Sequence, residues 1–240
     1  MELNSLSIGY KAGSRVITIA SGLTGEFHHG ELTSVLGCNG CGKSTLLKTL
    51  AGFLPPVSGE ILIDGKPLQS YDTQHRARLI SIVTTEAPKV QGMSVKELVA
   101  MGRSPYTGFW GRLSKEDGRI ISESLQTVGM TDYAQRKVTT LSDGERQKVM
   151  IAKAIAQQTP VIILDEPTSF LDYPSKVRTI SLLQQLAHDL GKTIILTTHD
   201  LEQAIRFSDR SWMMDREKGL IIGTPDELKS QNRFKEYFGM

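Results

Sequence analysis

Blocks of apolar and polar residues alternate along the chain and predict strands and helices in turn. Residues 2–8 alternate between apolar and polar side chains and residues 16–19 are β-branched, which predicts two strands joined by a turn at residues 9–13. Short apolar runs are typical of buried strands. They predict further strands at residues 23–27, 32–36, 60–63, 80–84, 161–164 and 193–197.

Helical patterns lie between these strands. Ser94 precedes Glu97 by three residues, and Ser114 precedes Asp117 in the same way, so each pair can satisfy free backbone N–H groups at the start of a helix. An aromatic stretch with glycine and proline at residues 102–112 predicts a loop. The helices are predicted at residues 45–50, 94–101, 114–128, 141–156 and 175–190.

Strands that alternate with helices predict an α/β fold with a mostly parallel sheet, which binds ligands at the carboxyl ends of its strands. The length of 240 residues suits one domain. We expect a core of residues 1–87 and 159–240, interrupted by a helical insertion at residues 88–158.

Composition narrows the function classes. Hydrophobic residues make up 39% and charged residues 22%, as in a soluble globular protein, and the net charge of +2 is too small to indicate a nucleic-acid partner. No apolar run approaches the roughly 20 residues that cross a bilayer, and residues 1–4 lack a secretory pattern. We therefore expect a cytoplasmic protein that contacts a membrane only through a partner.

The clearest motif is residues 37–45, Gly-Cys-Asn-Gly-Cys-Gly-Lys-Ser-Thr, which fits G-x-x-x-x-G-K-[ST] between a predicted strand and a predicted helix. Glycines let backbone N–H groups turn inward around phosphates, and the helix N-terminus adds its positive end. Lys43 can then reach the β- and γ-phosphates, and the Ser44 hydroxyl can bind Mg²⁺. The predicted nucleotide-binding residues are Gly37, Asn39, Gly40, Cys41, Gly42, Lys43, Ser44 and Thr45.

Both cysteines, Cys38 and Cys41, lie inside this loop. In a reducing cytosol they are expected to be free thiols with small side chains that fit. The alternative hypothesis is a redox-sensitive pair, because positive charge and a helix N-terminus lower the pKa of a thiol.

Polar residues also follow two other predicted strands. Asp165 and Glu166 come directly after the strand at residues 161–164, and His199 follows the strand at residues 193–197. Parallel strands would bring both sites to the phosphate loop. Asp165 is then placed to hold Mg²⁺. Glu166 could polarise an attacking water as a general base, and His199 could hydrogen-bond the γ-phosphate.

Several motifs occur in a fixed order: the phosphate loop, Leu-Ser-Asp-Gly-Glu-Arg-Gln at residues 141–147, Leu-Asp-Glu-Pro-Thr at 164–168, Ser-Phe-Leu-Asp at 169–172 and Thr-His-Asp at 198–200. Over its whole length the chain resembles the ATP-binding subunit of an ATP-binding cassette (ABC) transporter. That resemblance implies a P-loop NTPase (RecA-like) core with an antiparallel β subdomain and an inserted helical subdomain. It also implies ATP hydrolysis with Mg²⁺.

The resemblance implies several residue roles. Tyr10 matches the aromatic residue that stacks on adenine, Asp165 and Glu166 match the Walker B pair, and His199 matches the switch histidine. Asp172 matches the aspartate at the dimer interface. The signature residues would close over the ATP of a second copy in a head-to-tail dimer; they are Ser142, Gly144 and Glu145.

Two positions depart from the family pattern. Asp143 replaces the first glycine of the signature, and its carboxylate would repel a γ-phosphate unless it points away and caps the helix. Thr85 stands where the family carries a glutamine that touches Mg²⁺ and signals to the membrane subunits. Thr85 is too short for both tasks, so Glu86 or a water would share the metal contact. The expected metal-binding residues are Ser44, Asp165 and Thr85.

Residues 98–106 and 111–117 resemble a pattern of importers for iron–siderophore, haem and cobalamin. This implies two transmembrane permease subunits, each presenting a short helix to the groove beside Thr85 and the helical insertion, with a substrate-binding protein as an indirect partner. The subunit would sit at the cytoplasmic face of the inner or plasma membrane. The alternatives are a soluble ABC ATPase of a non-transport machine and an exporter motor. A GTPase switch would need an Asn-Lys-x-Asp motif, which the sequence lacks.

Overall fold

The computed structural model describes residues 1–13, 15–85, 92–108 and 110–238. Glu86 lies outside these ranges. The described strands, in chain order, are β1 (Glu2–Ala12), β2 (Arg15–Glu26), β3 (Leu32–Gly37), β4 (Ser58–Ile63), β5 (Lys66–Pro67), β6 (Ile80–Val83), β7 (Val161–Leu164), β8 (Thr193–Thr197), β9 (Arg210–Asp215) and β10 (Gly219–Gly223).

The strands form two sheets of different character. One sheet has the order β2-β1-β4-β5, and its neighbouring strands are antiparallel. The other has the order β10-β9-β3-β8-β7-β6, and its neighbours are parallel except β10 and β9. The prediction of a mostly parallel sheet is confirmed, and the second sheet is the antiparallel subdomain that the family resemblance implied.

The helices flank these sheets, and 3-10 turns join several of them. The described α-helices are α1 (Lys43–Leu50), α2 (Thr73–Leu79), α3 (Val95–Ala100), α4 (Lys115–Thr127), α5 (Asp143–Ala156), α6 (Tyr173–His188), α7 (Leu201–Phe207), α8 (Pro225–Ser230) and α9 (Arg233–Phe238). The predicted capping pairs at the starts of α3 and α4 are both formed. In the described ranges, none of these helices is both long and apolar enough to span a membrane.

Three local predictions are wrong in whole or in part. The first hairpin turns between Ala12 and Arg15, not at residues 9–13. Gly9 lies inside β1 and pairs with Thr18 of β2, and glycine is required there because an added Cβ would stand 2.0 Å from the carbonyl oxygen of Ile17. Residues 23–26 are in a strand as predicted, but they continue β2 instead of forming a separate strand. Part of the predicted loop at residues 102–112 is a 3-10 helix, Met101–Tyr106.

Two large apolar cores hold the layers together. One core lies between α3, α4 and α5 and the parallel sheet. The other joins the two sheets through α1 and contains the stacked rings of Phe27 and Trp212, whose centroids are 4.0 Å apart. Because α1 carries the end of the phosphate loop, that loop is anchored in the second core.

A buried ion pair fixes the helical segment. Arg103 donates to Asp117 at 2.7 Å, and its other nitrogen donates to the carbonyl of Ala156 and to the side chain of Gln158. Hydrogen bonds from Ser114, followed by that from Arg103, lower the pKa of Asp117 to about 2. The network therefore ties the 3-10 helix, the start of α4 and the end of α5 together.

We expect Asp117→Asn to lower the free energy of unfolding by about 3 kcal/mol, because it leaves the buried Arg103 without its counter-charge. Denaturant unfolding at neutral pH measures this. The folded-state pKa is depressed, so the contribution of Asp117 is present above pH 4 and lost as the pH falls toward 2. The exposed neighbour Glu116→Gln is the control and should change stability little. Equal stability of the two variants would contradict the prediction.

Candidate functional site

The sequence-predicted residues meet at one edge of the parallel sheet. Strands β3, β8, β7 and β6 lie side by side and run in the same direction. Their carboxyl ends lead into the phosphate loop at residues 37–45, His199, Asp165 with Glu166, and Thr85 respectively. Segments more than 150 residues apart in sequence are therefore adjacent in space.

The phosphate loop is shaped to bind an anion. The Lys43 side chain is buried and donates to the carbonyl oxygens of Gly37, at 2.7 Å, and Cys38, at 3.2 Å. Gly42 has a φ of 111°, and an added Cβ there would stand 2.6 Å from Ile19. The left-handed backbone requires glycine, and it leads directly into α1, whose free N–H groups and positive end favour phosphate.

The two cysteines of the loop differ in environment. Both are free; Cys38 is exposed, whereas Cys41 is buried. Burial raises the pKa of the Cys41 thiol, and nearby Lys43 offsets this only in part. The hypothesis that the site lowers the thiol pKa is therefore wrong for Cys41, because desolvation outweighs the positive charge.

The two carboxylates after β7 are held by Thr197, which sequence reasoning missed. The buried Thr197 hydroxyl donates to Oδ1 of Asp165 at 2.7 Å and accepts the backbone N–H of Glu166 at 2.9 Å. Glu166 has a φ of 50°, which is uncommon for a residue with a long side chain. One hydroxyl thus orients the first carboxylate and stabilises the backbone that aims the second.

Glu166 has two further contacts. Its Oε1 lies 2.6 Å from Nε2 of His199, and the Ser169 hydroxyl lies 3.0 Å from its Oε2. Both carboxylate oxygens are therefore partnered while the group remains partly exposed to solvent. This arrangement suits a base that must be oriented and still reach a water molecule.

Thr85 and Tyr10 occupy positions at the edge of this site. The Thr85 hydroxyl donates to the carbonyl oxygen of Asp165 at 3.0 Å, so it contacts the backbone of the proposed metal-binding residue. Tyr10 lies half exposed on β1. Ile8 of the same strand and Ile19 of β2 approach Gly42, which places the hairpin that carries Tyr10 beside the phosphate loop.

The signature residues lie on a different surface, at the start of α5. Ser142 caps this helix in a reciprocal pair with Glu145, whose pKa is lowered by the backbone N–H of Ser142. Asp143 does not cap the helix. It points to Arg146, with its Oδ1 2.7 Å from Nη1. Gly144 approaches Leu171 so closely that an added Cβ would stand 3.0 Å from it.

This surface contains a cleft of about 460 Å³ between the start of α5 and the segment before α6. Lys148 lines it together with the signature residues. Asp172 also lines it and caps α6 by accepting from the backbone of Ser175. The signature and the segment at residues 169–172 therefore form one continuous surface.

Known proteins resemble the chain over almost its full length. Residues 20–169 match the family described as ABC transporter. The chain is 39% identical to the iron(3+)-hydroxamate import ATP-binding protein FhuC of Bacillus subtilis, over 99% of this chain and 87% of the relative. It is 35% identical to the ferric enterobactin transport ATP-binding protein FepC of Escherichia coli, over 98% of this chain and 85% of that relative. A dimeric post-hydrolysis structure of the ATP-binding cassette MJ0796 with ADP and Pi matches with a TM-score of 0.83 and 28% identity. The match covers 93% of this chain and 98% of the MJ0796 chain.

We expect Thr197→Val to lower the turnover of nucleoside triphosphate about ten-fold while nucleotide binding is kept. Valine has the same shape but cannot hold Asp165 or accept the N–H of Glu166, and a lost hydrogen bond of this kind costs about 1–2 kcal/mol. Steady-state kinetics and nucleotide titration separate the two effects. Thr197→Ser, which keeps the hydroxyl, is the matched control. Equal turnover in the valine and serine variants would refute the role of this hydroxyl.

Proposed function

Since the chain belongs to the ABC transporter family and is therefore an ATPase, we propose that it powers import of a metal chelate. The observation that carries this proposal is the nearly full-length similarity to a protein named for import of iron(3+)-hydroxamate and to one named for transport of ferric enterobactin. Iron–siderophore is the first cargo to test, and haem and cobalamin are the others.

Different residues of the site would have different roles in ATP hydrolysis. Lys43 and the amides of the phosphate loop bind the phosphates, and Tyr10 stacks on the adenine. Glu166 acts as general base on the attacking water, and His199 holds Glu166 and contacts the γ-phosphate. The chain therefore contributes mainly positioning and charge, which is what phosphoryl transfer requires.

The donor set fits Mg²⁺. Asp165 offers a carboxylate oriented by Thr197, and Ser44 offers an exposed hydroxyl at the start of α1. Within the described residues no group of three or more His, Cys, Asp or Glu side chains could hold a metal alone. That agrees with Mg²⁺, which binds through one or two protein ligands together with substrate phosphates. Thr85 would contribute through its contact with Asp165, and the bound ion would neutralise phosphate charge.

We infer a head-to-tail dimer from the position of the signature. Ser142, Gly144 and Glu145 form a second anion-binding helix start, on the inserted helices at residues 88–158 and not on the strands that end at Lys43. A partner's ATP would fit between the two kinds of site, so that two ATP molecules are buried between two copies. The dimeric MJ0796 structure supports a dimer of two copies.

We propose that the permease subunits bind at the other end of α5 from the signature. A groove of about 260 Å³ between the ends of α1 and α5 and helix α2 is lined by Phe53, Arg76 and Lys153. Phe53 is 66% exposed, and the pKa of Lys153 is lowered by burial. An apolar groove with two cations suits one short helix. Each of the two copies would bind one such helix, from one of two transmembrane subunits. The chain would then be peripheral at the cytoplasmic face of the membrane, with a substrate-binding protein as an indirect partner.

The first test uses Glu166→Gln, which keeps the shape of the side chain and removes the proposed base. We expect this variant to bind ATP, to stop hydrolysing it and to form a dimer in ATP and Mg²⁺, as measured by light scattering. Hydrolysis at the wild-type rate would contradict the role of Glu166. A variant that binds ATP but stays monomeric would contradict the dimer proposed for the chain alone.

A second test addresses Asp143. In the Glu166→Gln background, Asp143→Asn should tighten the ATP-dependent dimer about three-fold or more, because it removes a negative charge beside the partner's γ-phosphate. The gain should shrink as ionic strength rises. Asp132→Asn removes an exposed carboxylate elsewhere on the inserted helices and is the control. A gain of the same size in both variants would contradict a local effect at the signature.

A further inference from the structure

Arg216 reaches the tip of the phosphate loop from the turn between β9 and β10. Its Nε and Nη2 both donate to the carbonyl oxygen of Gly40, at 3.0 and 2.7 Å. The two residues are 176 positions apart, and Arg216 lies outside every motif that the sequence analysis identified. The contact therefore needs an explanation of its own.

This contact fixes one peptide unit of the loop. Arg216 holds the carbonyl of Gly40, and the N–H of the same peptide, on Cys41, donates to the carbonyl of Cys38 at 3.2 Å. Gly40 has a φ of 77° and is exposed, so little packing supports it. Together the two hydrogen bonds fix the orientation of this peptide, with its carbonyl oxygen toward Arg216 and its N–H toward the Cys38 carbonyl.

The turn that carries Arg216 is itself well supported. Oδ1 of Asp215 accepts the backbone N–H groups of Glu217 and Lys218, at 2.8 and 3.0 Å. The hydroxyl of Tyr237, on α9, donates to the carbonyl of Lys218 at 3.2 Å. At the start of the loop, an added Cβ on Gly37 would stand 2.4 Å from the carbonyl oxygen of Met214 at the end of β9. Strand β9, its turn and α9 thus form a rigid support beside the loop.

We propose that Arg216 is a positioning residue for ATP: it holds the Gly40 carbonyl outward and keeps the loop in its anion-binding shape. Pre-ordering a binding loop raises affinity because less conformational freedom is lost on binding. The guanidinium also adds positive charge at the rim of a site for a polyanion. Arg216 acts on the loop and not on the reacting atoms, so it should change binding more than chemistry.

The test is steady-state ATP hydrolysis by Arg216→Ala, Arg216→Gln and Arg216→Lys. We expect Arg216→Ala to raise the KM for ATP about ten-fold, the size expected for losing a charge-assisted hydrogen bond, with kcat within about two-fold of wild type. Arg216→Lys should recover part of the loss. Arg216→Gln keeps a donor without charge and shows whether the hydrogen bond or the charge matters. Lys229→Ala, an exposed cation on α8, is the control and should match wild type.

Thermal unfolding separates positioning from simple stabilisation. The nucleotide-free variants should melt close to wild type, whereas the rise in Tm produced by ATP should be smaller in Arg216→Ala. An unchanged KM in Arg216→Ala, or a loss of kcat alone, would overturn the proposal. Should the alanine variant fail to fold, the lysine and glutamine variants decide in the same way. The test measures ATP binding and hydrolysis and not transport, so its outcome is independent of the cargo.

Discussion

Parallel pairing of four neighbouring strands is the constraint on which the site depends. Strands β3, β8, β7 and β6 run in one direction, so the segments that follow them emerge at one edge of the sheet. The phosphate loop, Asp165 with Glu166, and His199 meet there. Both faces of this sheet are covered, by the helical segment on one side and by α1 with the antiparallel sheet on the other. Burial of both faces keeps the strand ends in fixed relative positions.

Hydrogen bonds from distant segments then orient the groups at that edge. Thr197, at the end of β8, holds both Asp165 and the backbone of Glu166. Arg216, after β9, holds the tip of the phosphate loop. At Glu166 the hydrogen bond supports a positive φ that a residue with a long side chain rarely adopts. At Gly40 glycine permits the positive φ, and Arg216 fixes the orientation of the peptide. The site is therefore supported across the sheet and not along the chain.

The segment that contains α3, α4 and α5 has two ion pairs that differ in burial. Arg103 and Asp117 form a buried pair that fixes the helices to one another. Asp143 and Arg146 form a second pair at the start of α5, on the surface of the protein. The buried pair therefore contributes to the packing of the 3-10 helix against α4 and α5, whereas the second pair lies at the surface.

The sequence by itself determined the phosphate loop, the helix caps and the order of the main strands, because these depend on neighbours within a few residues. Motif order was also enough to identify the family and the carboxylates after β7. The turn of the first hairpin and the short elements of the last 40 residues escaped prediction, since their local patterns are weak. Only the tertiary structure showed the hydrogen bonds of Thr197 and Arg216 and the pairing of Asp143 with Arg146. The contacts of Thr197 and Arg216 depend on which strands lie side by side. The Asp143–Arg146 pair depends on the direction in which an exposed side chain points. A local sequence pattern encodes neither strand order nor side-chain direction.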